Sequence, residues 1–440
     1  MNTKHFVKLM SLFRTCRLFL LLLPALGSMS AHAAEIRQID VFSKALRFEG
    51  EPVEVLRSGK TIRKFAIFRG KKYEWAGKVR NRVATPEEEF DTPEQPLDID
   101  AMSIEDLANN LRGLALFRGH QFIEAEPAYE LARTIKKRQR LEKDAASEED
   151  LQSVLSGVAP YRGKVSSRPW RSVEPQPPKS SESTEQVHGT DDRVVMNNLS
   201  YPFRTNIVFD NTGSTATING AEGSGTLIGP STALSAAHVF WDEANGTWEA
   251  DHIWAPGFDS KDADPSPWGD WYRCYWVTIP TAYTTNVNQN TYDYAVLDFN
   301  VGCNSVDNGV NSDRPGATVG WLGHYTASDG DIESRTAYVR GYPGLGTCGN
   351  PGQSCNVRVW GDYSSPSEND AQPQKIHHQA DTTGGMSGSG IYHYADPSCG
   401  GCNYGAYLVG IHRAGSSSYN VARRYDSTVY SFMKAYSSDY

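Results

Sequence analysis

The chain has 440 residues, seven cysteines and a formal net charge of −9. That length exceeds one ordinary domain, and the apolar content is enough for at least one sizeable core. The acidic excess lies in residues 187–440, which argues against nucleic acid or an anionic membrane as partner.

The first residues read as a secretory signal. Lys4, Lys8, Arg14 and Arg17 form a cationic start, Leu18 to Leu23 an apolar run, and Ala31-His32-Ala33 a small-residue cleavage site. The run is too short to span a bilayer, so residues 1–33 are expected to be a signal peptide and the protein secreted and soluble. Cys16 would leave with the signal. The other six cysteines lie between Cys274 and Cys402, an even set that favours disulfides in an exported chain. Cys399 and Cys402 are spaced like half of a zinc site, but Cys348 and Cys355 are poorly spaced to complete it, so no metal is expected.

Residues 34–156 are charged and cysteine-free. Phe65-Ala66-Ile67-Phe68 reads as part of a strand. Ser103 with Asp106 resembles a helix cap, followed by Leu107, Leu111 and Leu114 at helical spacing. Pro127 separates this from a second helix that starts through Tyr129-Glu130-Leu131-Ala132-Arg133 and runs into a charged stretch ending near Asp150. No residue of this mixed α/β module suggests chemistry. Residues 157–186 change character: Pro160, Pro169, Pro175, Pro177 and Pro178 with Ser180, Ser181 and Ser183 read as an extended linker open to proteases.

From Val187 onward short runs of Val, Ile, Thr, Tyr and Trp alternate with Gly, Asn, Asp and Pro turns, the pattern of an all-β barrel or sandwich. A terminal helix is expected over Ser427 to Lys434. Three strings within this part carry chemistry. Gly225 to His238 reads as strand, turn, strand and tight bend, with the small residues Ser235, Ala236 and Ala237 just before His238. Asp293 opens the apolar strand Tyr294-Ala295-Val296-Leu297 and is either a turn former or a carboxylate that fixes an imidazole tautomer. Ser387 stands in Gly384-Gly385-Met386-Ser387-Gly388-Ser389-Gly390, whose glycines let amide hydrogens turn toward an oxyanion.

In the order His238, Asp293, Ser387, these strings resemble the active-site motifs of the chymotrypsin-like serine proteases, and more narrowly of the bacterial glutamyl endopeptidase branch. Gly189-Thr190-Asp191-Asp192-Arg193 matches that branch as well, and the resemblance covers residues 187–440. It implies a double six-stranded β-barrel with a short C-terminal helix, preceded by the signal peptide and the mixed pro-region. It implies a Ser387–His238–Asp293 triad with the N–H groups of Gly385 and Ser387 as oxyanion hole. It also implies a pocket for a substrate carboxylate, formed by Thr382, His412 and the α-amine of Val187. The expected activity is peptide-bond hydrolysis after Glu or Asp by a secreted, monomeric enzyme without cofactor, made as a proenzyme and cut within residues 157–186. Cleavage after Glu185 would leave Gln186, so a trimming step is needed to expose Val187. Partners are then protein or peptide substrates and the enzyme's own pro-region.

Two residues depart from the branch pattern. Arg413 follows His412 and either assists acidic recognition or points to solvent. Gly390 stands where proline is usual, which predicts a looser strand start. Other features rank lower: Asp259, Asp262 and Asp264 lack regular calcium-ligand spacing and read as a solvated loop, His377 and His378 lack a metal-binding partner set, and the tryptophans between Trp241 and Trp276 read as filling barrel cores or a long loop rather than marking a carbohydrate surface. An α/β-hydrolase using Ser387, Asp396 and His412 fails because strand–helix alternation is absent and Ser389 replaces the glycine of that motif. A non-catalytic binding protein on a protease scaffold is the alternative from another class.

Overall fold

The computed structural model describes residues 46–56, 61–79, 98–144, 187–188, 191–210, 218–249, 252–262, 264–268, 271–272, 275–285, 289–301, 314–344, 356–395, 405–416 and 418–440. All of them belong to one compact unit, Leu46–Tyr440. The expected signal peptide, the linker and the six later cysteines lie outside the described residues. Among the described residues no helix is long and apolar enough to cross a membrane.

The N-terminal part opens with three antiparallel strands, β1 (Leu46–Val55), β2 (Thr61–Phe68) and β3 (Lys71–Lys78). Helix α1 (Ile104–Asn110) follows, capped as expected by Ser103, whose hydroxyl accepts from Asp106 N at 3.0 Å. The chain then forms the hairpin β4 (Gly113–Phe117) and β5 (His120–Glu124), and helix α2 (Tyr129–Asp144). Leu114 therefore does not continue the helix as its spacing predicts. The helix stops at Leu111, and every residue of Gly113–Phe117 is buried, a continuous apolar run that serves a strand covered on both faces. The β2–β3 and β4–β5 turns are Arg-Gly pairs, Arg69-Gly70 at φ of 52° and 78° and Arg118-Gly119 at 49° and 73°. Positive φ at both central residues matches the turn to the twist of the flanking strands.

Residues 187–440 contribute two six-strand sets. The first comprises β6 (Asn206–Asp210), β7 (Gly223–Leu227), β8 (Thr232–Ser235), β9 (Ile253–Pro256), β10 (Trp276–Pro280) and β11 (Ala295–Asp298). The second comprises β12 (Ala337–Gly341), β13 (Trp360–Ser364), β14 (Lys375–His378), β15 (Gly390–Ala395), β16 (Gly405–Gly415) and β17 (Asn420–Arg424). The second set pairs in the order β14-β17-β16-β15-β12-β13, and its core gathers Val339, Ile376, Met386, Ile391, Val409 and Ala422. Helix α3 (Ser427–Tyr436) closes the chain, its first turn capped by Asp426, which accepts from Thr428 N and Val429 N. This is the double-barrel, all-β architecture with a short C-terminal helix that the resemblance implies.

The first set does not end at its own strands. β4 pairs antiparallel with β10, so one twelve-stranded sheet runs β1-β2-β3-β5-β4-β10-β11-β8-β7-β6-β9, with Trp271–Tyr272 at its far edge. Trp276, on β10, is fully buried against four rings of the N-terminal part: Phe68 at 4.7 Å between centroids, Tyr73 at 5.0 Å, Phe122 at 5.4 Å and Phe117 at 6.0 Å. Helix α3 reaches the same surface. Tyr436 donates to Leu111 O at 3.0 Å and to Glu124 Oε2 at 2.6 Å, and Lys71 pairs with Glu124 at 2.7 Å. Trp248 and Trp254 fill the interior, as expected of the tryptophan cluster. Asp259 differs from its solvated expectation: it is 2% exposed and paired with Arg358 at 2.8 Å, because a carboxylate taken from water needs a compensating charge.

Candidate active site

Each candidate residue is placed by local backbone. β8 ends at Ser235, and the chain bends into a single 3₁₀ turn, Ala237–Val239, that carries His238. Asp293 lies just before β11, which pairs with β8 through Ala295 and Ser235, so the strands deliver the two side chains side by side. His238 Nδ1 lies 2.8 Å from Asp293 Oδ2. The other carboxylate oxygen, Oδ1, accepts from Ala237 N at 2.7 Å and His238 N at 3.1 Å. Asp293 has no exposed surface. Burial alone would raise its pKa, but the His238 and Arg413 charges and its hydrogen bonds hold the carboxyl well below the ordinary range.

Ser387 arrives from the other sheet. Gly385 and Gly388 have φ of +86° and +85°, and a Cβ on Gly388 would stand 2.1 Å from Ser224 O, 2.2 Å from Ser235 Oγ and 3.1 Å from Ala236 N. The serine turn is thus pressed onto the end of β8 that leads to His238, an approach that only glycine permits. Ser224 pins the same turn: its N–H donates to Ser387 O at 2.7 Å and its hydroxyl to Gly385 O at 2.8 Å. Among the described residues the N–H groups of Gly385 and Ser387 have no intramolecular acceptor. The Ser387 hydroxyl donates to Arg413 O at 3.4 Å.

Strand β16 lies against this turn, with Gly388 N donating to His412 O at 2.8 Å and His412 N to Ser389 O at 2.7 Å. Thr382 and His412 are buried, and among the described residues neither Thr382 Oγ1 nor His412 Nδ1 has a hydrogen-bond partner. Burial, together with the His238 and Arg413 charges, pushes the His412 pKa down to about 3, so its ring is neutral. The His378 ring stands behind it at 5.6 Å between centroids.

Gly390 corrects the expectation of a loose strand start. Its N–H donates to Thr226 Oγ1 at 2.9 Å, and a Cβ there would meet Leu408 Cδ1 and Thr226 Oγ1, each at 2.7 Å. Glycine tightens the join between the two sheets, where proline would lack the donor and clash. The segment after Val187 is also held on the site. Asp381 accepts from His188 N at 2.8 Å and Asp192 N at 3.2 Å, while Arg193 donates to Thr383 Oγ1 and pairs with Asp191 at 2.6 Å. Gly189 and Thr190 lie outside the described residues. Asp192, Asp362 and Asp381 bring one carboxylate oxygen each within 4.8 Å of the others, and burial with mutual repulsion raises the Asp362 and Asp381 carboxyls.

Sequence reasoning missed Ser224 and the place of Arg413. Arg413 neither enters the pocket nor points to solvent. It is 1% exposed and donates from Nε to Asp293 Oδ2 at 3.1 Å.

A histidine and an aspartate carried by one six-stranded set to the edge of a serine turn in the other form the framework of the chymotrypsin-like proteases. The chain has that framework, and it is similar in sequence to the glutamyl endopeptidases. Over 273 residues it is 28% identical to the glutamyl endopeptidase of Bacillus licheniformis, a match covering 61% of this chain and 74% of that protein. It is 27% identical over 250 residues to a protein of Bacillus subtilis named extracellular metalloprotease, covering 56% and 67% respectively. Among solved structures it is similar to a Glu endopeptidase in complex with MPD (22% identity, TM-score 0.42, 57% of this chain and 98% of that one). It is also similar to the protease Anisep of Arthrobacter nicotinovorans (17% identity, TM-score 0.39, 56% and 98%). No protein-family model matches the chain.

Proposed function

We propose that the chain is an exported proenzyme whose serine endopeptidase cuts after Glu, with Asp as a second choice. The His238–Asp293 pair, its carboxylate fully buried and set beside the Ser387 turn, carries this reading. Ser387 attacks the peptide carbonyl while His238 Nε2 takes the hydroxyl proton. The tetrahedral oxyanion binds the N–H groups of Gly385 and Ser387, and the same proton then passes to the leaving amine. Water repeats the sequence on the acyl-enzyme. Asp293 keeps the Nδ1 proton of His238 in place and stabilises the imidazolium.

Preference for a carboxylate is supported by two buried polar atoms that have no partner among the described residues, Thr382 Oγ1 and His412 Nδ1. A site that leaves such atoms unpaired pays for it until a ligand supplies the bond, and a substrate carboxylate accepts from both. The positive charge would come from the α-amine of Val187 once residues 157–186 are cut, since the segment starting at His188 already lies on Asp381. Residues 34–156 would then be the pro-region. Export is supported by the sequence of residues 1–33 and by the relative whose name describes it as extracellular.

Digesting a peptide library with processed protein and mapping the cuts by mass spectrometry tests this. Cuts after Glu are expected, and they should vanish in Ser387→Ala. Cleavage mainly after Arg, Lys or large apolar residues would refute the carboxylate pocket. Processed protein that never labels with a fluorophosphonate would instead favour a binding protein on this scaffold.

A further inference from the structure

We propose that Arg413 is a positioning residue for catalysis, a buried guanidinium that holds the same Asp293 carboxylate oxygen as His238 and so fixes the imidazole. The proposal rests on the Ser387–His238–Asp293 reading and adds a member that reading does not contain. Three observations carry it.

The first is the backbone. Along β16, His412 pairs with Ala422 but Ala414 pairs with Val421, so Arg413 is the extra residue of a β-bulge. A bulge re-aims one side chain without moving the strand's neighbours. Here it leaves His412 in its pocket and turns Arg413 under the His–Asp pair. The second is the carboxylate. Asp293 Oδ2 takes both the His238 ring N–H and Arg413 Nε–H, while Oδ1 takes two backbone N–H groups, so both oxygens are held. The third is the far end of the guanidinium, where one terminal nitrogen donates to Asn290 Oδ1 three residues before Asp293. Arg413 therefore grips the aspartate and the turn that presents it. A fully buried arginine is costly to desolvate, and the buried Asp293 carboxylate compensates that cost.

The charge has a second consequence. Arg413 opposes protonation of His238, so removing it raises the basicity of the imidazole and moves the acid limb of activity to higher pH. The other titratable and charged groups packed around the pair are His412 and, behind it, His378, with Tyr292, Tyr294 and Arg423 on the flanking elements.

The experiment compares processed wild type with Arg413→Met, Arg413→Lys and Asn290→Ala, reading kcat, KM and the pH profile on a Glu-containing peptide, and the rate of fluorophosphonate labelling. Losing one charge-assisted hydrogen bond of this kind predicts a kcat fall of about ten- to a hundredfold in Arg413→Met, with KM little changed and the acid limb shifted upward. Arg413→Lys keeps the charge and should keep the limb while recovering part of kcat. Asn290→Ala frees the far end of the guanidinium without touching Asp293 and should lower kcat by a smaller factor at constant KM. It also decides the matter if the Arg413 variants fail to fold. Wild-type kcat and an unmoved acid limb in the folded variants would overturn the proposal, as would a loss expressed in KM alone. Undiminished hydrolysis by Ser387→Ala would instead overturn the triad reading itself, an outcome distinct from these.

Discussion

Trp276→Ala tests how tightly the N-terminal strands are bound to the rest of the molecule. Trp276 has no exposed surface, and its ring is enclosed by Phe68, Tyr73, Phe117 and Phe122 with centroids between 4.7 and 6.0 Å. All four partners belong to β2, β3, β4 and β5, so the substitution falls on the junction. Truncating a buried tryptophan to alanine costs about 3–5 kcal/mol, through lost transfer energy and an uncollapsed cavity. At about 1.4 kcal/mol per tenfold, that weakens association of the two parts by roughly a hundred- to several-thousandfold once the linker is cut. The measurement uses the Ser387→Ala background, to prevent self-digestion, with the linker nicked by an added protease. Gel filtration and denaturant melts then follow residues 34–156 and 187–440 together. Wild-type junctions should elute as one species after nicking, and Trp276→Ala should release the N-terminal part at micromolar dilution. A melt changed by less than about 1 kcal/mol would refute the reasoning, because it would mean the five rings contribute no more than a surface contact.

Three further outcomes are expected. Asp298, buried at the end of β11, has its pKa pushed up to about 7, mainly by burial and against its bonds from Asn300 N and Ser438 Oγ. A raised carboxyl contributes stability that is present below its unfolded value near about 4 and lost as pH rises through about 7, so Asp298→Asn should gain up to about 4 kcal/mol over wild type at pH 8 and little at pH 4, read by thermal melts at the two pH values. Thr382→Val should lower kcat/KM for Glu substrates by about ten- to a hundredfold and spare uncharged ones, since it deletes one hydrogen bond to a charge; equal losses on both substrates would remove Thr382 from the pocket. Gly390→Pro should destabilise the protein by about 1–3 kcal/mol in urea melts, from the lost N–H bond to Thr226 and the clash with Leu408.

The parts of the site that were legible in the sequence are those fixed by short strings. Small residues before His238, a carboxylate at the head of an apolar strand, and glycines around Ser387 each require a particular backbone that few other sequences satisfy. Arg413 was not legible because its direction depends on a bulge, and a bulge depends on how β16 registers with β17. Leu114 misled for a related reason: a leucine three residues after another fits a helix until a distant strand, Trp276–Pro280, offers it a partner. The Arg-Gly turns were a local signal, two positive-φ pairs between strand-like runs, and were readable but unread. Asp259 looked solvated because its partner, Arg358, is remote in sequence.

The continuous sheet also sets an order of events during synthesis. β4 is made early, yet its partner β10 emerges much later, and Tyr436, which bonds to Leu111 and Glu124, later still. Until then the hairpin β4–β5 presents an open apolar edge with nothing to pair it, the kind of edge that recruits other chains. Its closure waits on contacts of high sequence separation, which fold slowly. A chain built this way cannot complete its first sheet until β10 has been made, so the strands that carry His238 and Asp293 close onto the N-terminal hairpin late.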